Sequence, residues 1–224
     1  IHNPEHPNFA YFQASGKPSH NGSCGSIYNH FDNSKYDEKL FSFPEVLMNL
    51  ESKPSGTKPT GKSSPKKGKS TSGGEKALKT IKEIYKMATN TPPNDSYNGV
   101  KIKNILADVR SYSDYKDGID GYHLVECNFY CFDKKEKTII MNFPFLPNNK
   151  YYLRLCFKDE DLFKKEYSRF YDTGHTGIIV ISGLWEKKDE EYRTKTIKAE
   201  CTIKSEKQIA IIKLLPSLEI VECI

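Results

Sequence analysis

The segment Tyr122-His-Leu-Val-Glu-Cys-Asn-Phe-Tyr-Cys-Phe132 alternates its side chains, with Val125, Cys127, Phe129 and Cys131 on one side and Glu126, Asn128 and Tyr130 on the other. Successive strand residues point to opposite faces, so the alternation predicts a half-buried β-strand. Strand signals continue downstream. Asp133-Lys-Lys-Glu-Lys137 reads as a turn into Thr138 to Phe145, where Pro144 and Pro147 suggest an edge strand or an irregular end. Tyr151 to Phe157 places Leu153 and Leu155 inward and Tyr152 and Arg154 outward. From Asp159 to Tyr171, Leu162, Phe163, Tyr167 and Phe170 recur at helical spacing. Two long strands, Gly177 to Trp185 and Tyr192 to Ile203, are joined by the hairpin-like Glu186-Lys-Lys-Asp-Glu-Glu191, and Ile209 to Leu215 closes the set.

Upstream, Val100 to Tyr112 reads as one long β-prone stretch, followed by the Asp/Gly-rich loop Asp114 to Gly121. Before it, Ala77, Leu78, Ile81, Ile84, Tyr85 and Ala88 predict a short amphipathic helix that ends at Thr91-Pro-Pro93. Ser52 to Gly74 holds almost only Lys, Ser, Thr, Gly and Pro, too little apolar surface to offset the entropy of ordering. Four divisions follow: an irregular docking segment at 1–50, a flexible basic linker at 51–75, a helix and connector at 76–96, and a β-domain at 97–224. In the first, only Leu40 to Leu50 is apolar enough to dock on something.

The chain has 224 residues and a net charge of +5, with 34 Lys and Arg against 29 Asp and Glu. Glu51 to Asn90 carries ten Lys and three acidic groups, which leaves the remainder with 24 positive and 26 negative groups, a net −2. The basicity therefore belongs to one segment. No run approaches the roughly 18 apolar residues of a membrane span. Six cysteines, Cys24, Cys127, Cys131, Cys156, Cys201 and Cys223, include no CxxC pair, and Cys127 and Cys131 are expected on one strand face as core residues. The triplets Asn21-Gly-Ser23 and Asn94-Asp-Ser96 are sequons.

The order strand, acidic Gly loop, three strands, helix, strand and hairpin return is similar to the OB-fold, a small Greek-key barrel with a helix between its third and fourth strands. Val100-Lys-Ile-Lys-Asn-Ile-Leu-Ala-Asp-Val-Arg110 with Ser111 to Gly118 looks like the opening strand and first loop of OB domains in telomere-end and single-strand DNA-binding proteins. Gly177-Ile-Ile-Val-Ile-Ser-Gly-Leu-Trp185 looks like their fourth strand. The chain departs from them by an additional strand at Ile139 to Phe145, and a lipocalin-like barrel or a β-sandwich remains an alternative. The fold class expected is thus mainly β, an OB-like Greek-key barrel with one or two short helices and a disordered basic linker.

The resemblance implies a non-enzymatic, nuclear subunit of a protein complex that binds single-stranded DNA or RNA in telomere or DNA maintenance, without cofactor or metal. In such a barrel aromatic rings stack bases and cations neutralise phosphates. Strand alternation nominates Tyr130, Tyr152 and Arg154, the first loop adds Arg110, Tyr112 and Tyr115, and the late strand adds Lys198 and Lys204. An outward Tyr beside Arg is also ordinary strand packing, and the net −2 gives no automatic attraction for phosphate. In the linker, Lys62, Lys66, Lys67 and Lys69 surround Ser64-Pro65, which resembles DNA-groove-binding chromatin tails and the target of proline-directed kinases; phosphate on Ser64 would remove about 1.5 to 2 units of charge. A protein-binding adaptor built on a β-barrel, or a secreted disulfide-bonded barrel, are the alternatives. His20, Cys24 and His30 lie close in sequence but lack a visible orienting group, and His123 and His175 read as surface or turn residues.

Overall fold

Pro44 occupies the first turn of helix α1 (Phe43–Glu51), where its missing N–H is no loss, and Phe43, Leu47 and Leu50 form the helix's buried face. Helix α2 (Ile81–Asn90) begins with a capping box: Thr80 Oγ1 accepts from the Glu83 N–H, and the Glu83 carboxylate accepts from the Thr80 N–H. That box starts the helix four residues later than the apolar spacing from Ala77 suggests. These elements belong to a computed structural model that describes residues 31–52, 76–145, 149–173 and 177–212.

Val100 to Tyr112 is not one strand. Ser96–Tyr97 (β1) and Val100–Lys101 (β2) form a small hairpin around Asn98 and Gly99, both at positive φ. The chain then makes a single helical turn, Ile102–Ile105 (α3), two strand residues, Leu106–Ala107 (β3), a 3-10 turn capped by Asp108, and a second helical turn, Tyr112–Tyr115 (α4). Ile102, Ile105 and Leu106 stand at the three-and-four spacing of a helical face, and all three are buried. Burying that face outweighs the β-propensity of the stretch.

The main sheet comprises β3, β4 (Gly121–Asp133), β5 (Thr138–Phe143), β6 (Tyr151–Phe157), β7 (Ile178–Tyr192), β8 (Lys195–Ile203) and β9 (Ile209–Ile212), with helix α5 (Glu160–Thr173) between β6 and β7. Its order is β3-β4-β5-β6-β8-β7-β9, and β7 also pairs with β4, so the hydrogen bonding that leaves β4 through β5 returns to it through β7. The pairs β3–β4 and β6–β8 are parallel and the others antiparallel. The protein is mainly β. β5 is not an edge strand, since it is hydrogen-bonded on both sides; it ends at Phe143, before Pro144, and Pro147 lies outside the described residues.

Two bulges set which side chains face where. In β4 the register shifts between Phe129 and Cys131. Val125, Cys127 and Phe129 enter the main core with Met141, Leu153, Leu155, Ile181 and Trp185, whereas Tyr130 and Cys131 both pack on the opposite side. Cys127 and Cys131 therefore do not share a face, because the extra residue reverses the alternation. The second irregularity lies opposite Tyr152 and Leu153, which pair with Ile197 and Ala199, leaving Lys198 as the extra residue of β8.

A second apolar cluster covers the other face of β4, β7 and β9. Phe41, Phe43 and Leu47 join Ile81, Ile84, Met87, Ile102 and Ile105 over Leu124, Val180 and Ala210. Segments 31–52 and 76–107 thus share one core with the sheet, across the divisions expected at residues 76 and 97. Under this cover lies Glu126, which the alternation assigns to the acidic surface and the structure buries. The Tyr85 hydroxyl of α2 donates to its carboxylate at 2.6 Å. Burial pushes the Glu126 carboxyl up to about 7, against that hydrogen bond, which favours the ionised form.

Candidate nucleic-acid interface

Tyr130, outward by alternation, and Cys131, turned to the same side by the β4 bulge, pack against Ile140 of β5, Tyr152 of β6 and Ile197 of β8, a small apolar cluster on the outer face of the sheet. The Tyr130 and Tyr152 rings stack at 4.7 Å and 19°, and Tyr192 meets Tyr152 edge-on at 5.9 Å and 89°. Stacked and T-shaped pairs match the quadrupoles of the rings, so the three tyrosines hold each other in place. The Tyr152 hydroxyl lies 3.1 Å from Thr194 Oγ1, and the Cys131 thiol lies 3.6 Å from the Tyr192 hydroxyl.

Cations sit over this platform. The β7–β8 hairpin turns at Arg193 and Thr194, with Tyr192 paired to Lys195 and Arg193 at φ 53°. The turn brings the Arg193 guanidinium to 5.8 Å from the Tyr130 ring centre and 5.4 Å from that of Tyr192, and the Lys195 ammonium to 5.2 Å from that of Tyr152. Hydrogen bonding from Tyr152, then from Arg193, draws the Tyr130 hydroxyl below the ordinary tyrosine range, while burial raises that of Tyr152.

The remaining nominated residues are occupied elsewhere. Arg154 points outward, as expected, but its guanidinium spans Glu190 at 2.8 and 2.5 Å and approaches Glu200 at 3.6 Å. It lies in a groove of about 530 Å³ whose other charged residues are Asp133, Glu136, Glu190 and Glu200, so this groove repels phosphate. Arg110 pairs with buried Asp108 at 2.7 Å and donates to the Ala88, Thr89 and Thr91 carbonyls at the end of α2. A helix end leaves its last carbonyls without α-helical partners, and although the Ala88 carbonyl also accepts from the Thr91 N–H, Arg110 serves as a cap for this end. Tyr112 packs against the main core, and Tyr115, buried, donates to the Lys103 carbonyl. Lys198 donates to the Lys116 carbonyl and lies over the Tyr151 ring, and Lys204 pairs with Glu51 of α1 at 2.5 Å. Of the eight nominated residues, the sheet brings together Tyr130 and Tyr152, and of these only Tyr130 is partly exposed: Tyr152 is on the outer face but buried beneath its neighbours.

Tyr192, Arg193 and Lys195 escape the sequence reading because Glu186 to Glu191 looks like the turn. It is strand, and the true turn has neither Gly nor Asn to mark it. The pairing of Tyr with Lys across two residues was the available signal.

His123 is half-buried, with Nδ1 2.9 Å from the Asn104 carbonyl and Nε2 2.8 Å from that of Asp120. Burial lowers its pKa, opposed by those two carbonyls. Among the described residues no group of three or more His, Cys, Asp or Glu could hold a metal ion, and no helix is long and apolar enough to cross a membrane. The four described cysteines, Cys127, Cys131, Cys156 and Cys201, are free thiols. Lys62, Ser64, Lys66, Lys67 and Lys69 lie outside the described residues, as do His20, Cys24, His30, His175 and Cys223. Comparison with protein-family models, curated proteins and solved structures gives no match.

Proposed function

We propose that the chain is a non-enzymatic subunit that binds single-stranded nucleic acid on the partly exposed rings of Tyr130 and Tyr192, which the buried ring of Tyr152 supports from below, and that the strands carrying them form an OB-type barrel. Strand order supports the barrel. The ring β4-β5-β6-β8-β7, closed by β7 on β4, has β6 and β8 parallel and α5 between its third and fourth strands. On this reading β5 is the second strand of the barrel and no departure, and Val100 to Tyr112 stands outside it. OB domains bind oligonucleotides on their second and third strands, between the first and last hairpin loops. Here those are β5, β6, the Asp133–Lys137 turn and the Arg193–Thr194 turn; the part of that face around Arg154 is the acidic groove, so the strand would lie on the part under Arg193 and Lys195.

The observation that carries the reading is the set of stacked rings with Arg193 and Lys195 above them. Bases stack on aromatic faces without sequence preference, and cations beside the rings meet the phosphates. Titration of the full chain with a fluorescent single-stranded oligonucleotide at two salt concentrations tests it. Binding should weaken with salt and fall by about tenfold or more when Tyr130→Ala and Arg193→Ala are combined. A second variant with Lys62, Lys66, Lys67 and Lys69 replaced by Ala removes the contribution of the basic arm. No binding at low salt would overturn the proposal.

A second reading, a protein-binding adaptor, is favoured by one observation. The groove beside the platform carries four carboxylates; Arg154 and Lys188 pair with Glu190 and Glu200, and Asp133 and Glu136 make no salt bridge among the described residues, which leaves a surface complementary to a basic peptide.

A further inference from the structure

The turn between β4 and β5 sorts its charges. Asp133 and Glu136 face the acidic groove, while Lys134, Lys135 and Lys137 line a different one, of about 500 Å³, between the turn and α5. The Asp133 carboxylate fixes this division by accepting from the Lys135 and Glu136 N–H groups at 2.9 and 3.1 Å. From α5 the second groove receives Glu160, Phe163, Lys164, Tyr167 and Ser168. Glu160 is its one acid, and Lys164 already neutralises it at 2.8 Å. Among the described residues Lys134, Lys135 and Lys137 make no salt bridge, so this groove keeps three uncompensated ammonium groups.

Its wall is aromatic. Phe132 and Tyr167 lie 4.0 Å apart, Phe163 stacks with Tyr167 at 18°, and the Lys134 ammonium stands 5.7 and 6.0 Å from the Phe132 and Tyr167 ring centres. Burial of Phe163 and Phe170 in the main core anchors α5, which places Tyr167 on the groove side. Lysine ammonium groups are compact point charges suited to a phosphate dianion, whereas a purely ionic site would need no aromatic wall. The volume is within the range of small-molecule sites.

We propose that this groove is a nucleotide site, which holds a phosphate among Lys134, Lys135 and Lys137 and the planar base against Tyr167. It shares the Asp133–Lys137 turn with the face described above but uses none of the platform rings or the cations over them, and it does not rest on the function proposed there. The site would accept a free nucleoside monophosphate or one nucleotide of a longer strand.

Calorimetric titration of the full chain with adenosine 5′-monophosphate, adenosine and inorganic phosphate tests the proposal. The monophosphate should bind at least about tenfold more tightly than either fragment, because both charge and stacking contribute. Combining Lys134→Glu with Lys135→Glu should abolish that binding, and Tyr167→Leu, which keeps an apolar side chain on the core side, should weaken it about fivefold or more. The Tyr130→Ala and Arg193→Ala variant should leave it unchanged, so a failure of the platform and a failure of this groove are read separately. Equal affinity for phosphate and monophosphate, equal affinity for adenosine and monophosphate, or binding that survives the charge reversal in a folded variant would each overturn it.

Discussion

Replacing Glu126 by Gln removes a titrating group from beneath α2 and changes its shape very little. In the folded protein burial holds this carboxyl at about 7, against an ordinary value of 4.5. The unfolded chain therefore releases the proton first. Whatever stability the neutral carboxyl confers is complete below pH 4.5 and declines as pH rises to about 7, above which the loss is constant. The full difference corresponds to about 3 kcal/mol, of which about 2.5 kcal/mol falls between pH 5 and pH 8. His123 acts in the opposite sense: its lowered pKa means that the unfolded chain binds its proton first as pH falls, so its contribution grows with pH up to about 6.5. Comparing wild type and Glu126→Gln at each pH cancels that term. Urea unfolding at pH 5 and pH 8 should give near-equal stabilities at pH 5 and a variant more stable by about 2 to 3 kcal/mol at pH 8. The Gln side chain can still accept the Tyr85 hydroxyl, so the hydrogen bond is not what is measured. A variant that is destabilised equally at both pH values would refute the reasoning, since it would mean that the carboxyl is ionised under α2 across the whole range.

Arg110→Ala should cost about 2 to 4 kcal/mol in urea unfolding, because Asp108 loses its partner in a buried position and α2 loses its cap, while oligonucleotide affinity of the folded variant stays at the wild-type value. At Gly183 an added methyl carbon would stand 2.5 Å from Cys201 Sγ and 3.1 Å from Gln208 Nε2, so Gly183→Ala should lower thermal stability by about 1 to 3 kcal/mol. Among the four described thiols, mass spectrometry after brief alkylation of the native protein should find Cys131 and Cys156 modified, with buried Cys127 and Cys201 protected until denaturant is added. Burial also raises the pKa of both protected thiols, which slows them further.

Where one face of a strand meets a core, the sequence announces it. Leu153 and Leu155 are inward and Tyr152 and Arg154 outward on β6, as their alternation says, and α5 falls where Leu162, Phe163, Tyr167 and Phe170 recur. The features that went unread are those without a compositional mark. A bulge at Tyr130 adds one residue of no special type, yet it decides that Cys131 leaves the main core and joins Tyr130 on the outer face. Glu126 reads as surface because nothing local says that a helix from forty residues earlier will lie on it. Tyr152 was expected to be exposed and is 1% exposed, since its neighbours and the hairpin tip close over its ring. For Val100 to Tyr112 two periods coexist, and the choice between them depends on whether a partner for the helical face exists, which only the fold supplies.

The shared cluster on β4, β7 and β9 bears on how this protein can be divided. Composition invites a cut near residue 97, which would keep every strand of the main sheet and discard what reads as a linker and an appendage. Such a fragment would lose Phe41, Phe43, Leu47, Ile81, Ile84 and Met87, and leave the cluster they share with Ile102, Ile105, Leu124, Val180 and Ala210 partly open to water. It would also leave Lys204 without Glu51 and Arg110 without the helix end it caps. The smallest piece that can stand for the whole therefore begins before residue 41 and not after residue 96, and self-association of a shorter fragment would report the severed packing and say nothing of a native oligomer.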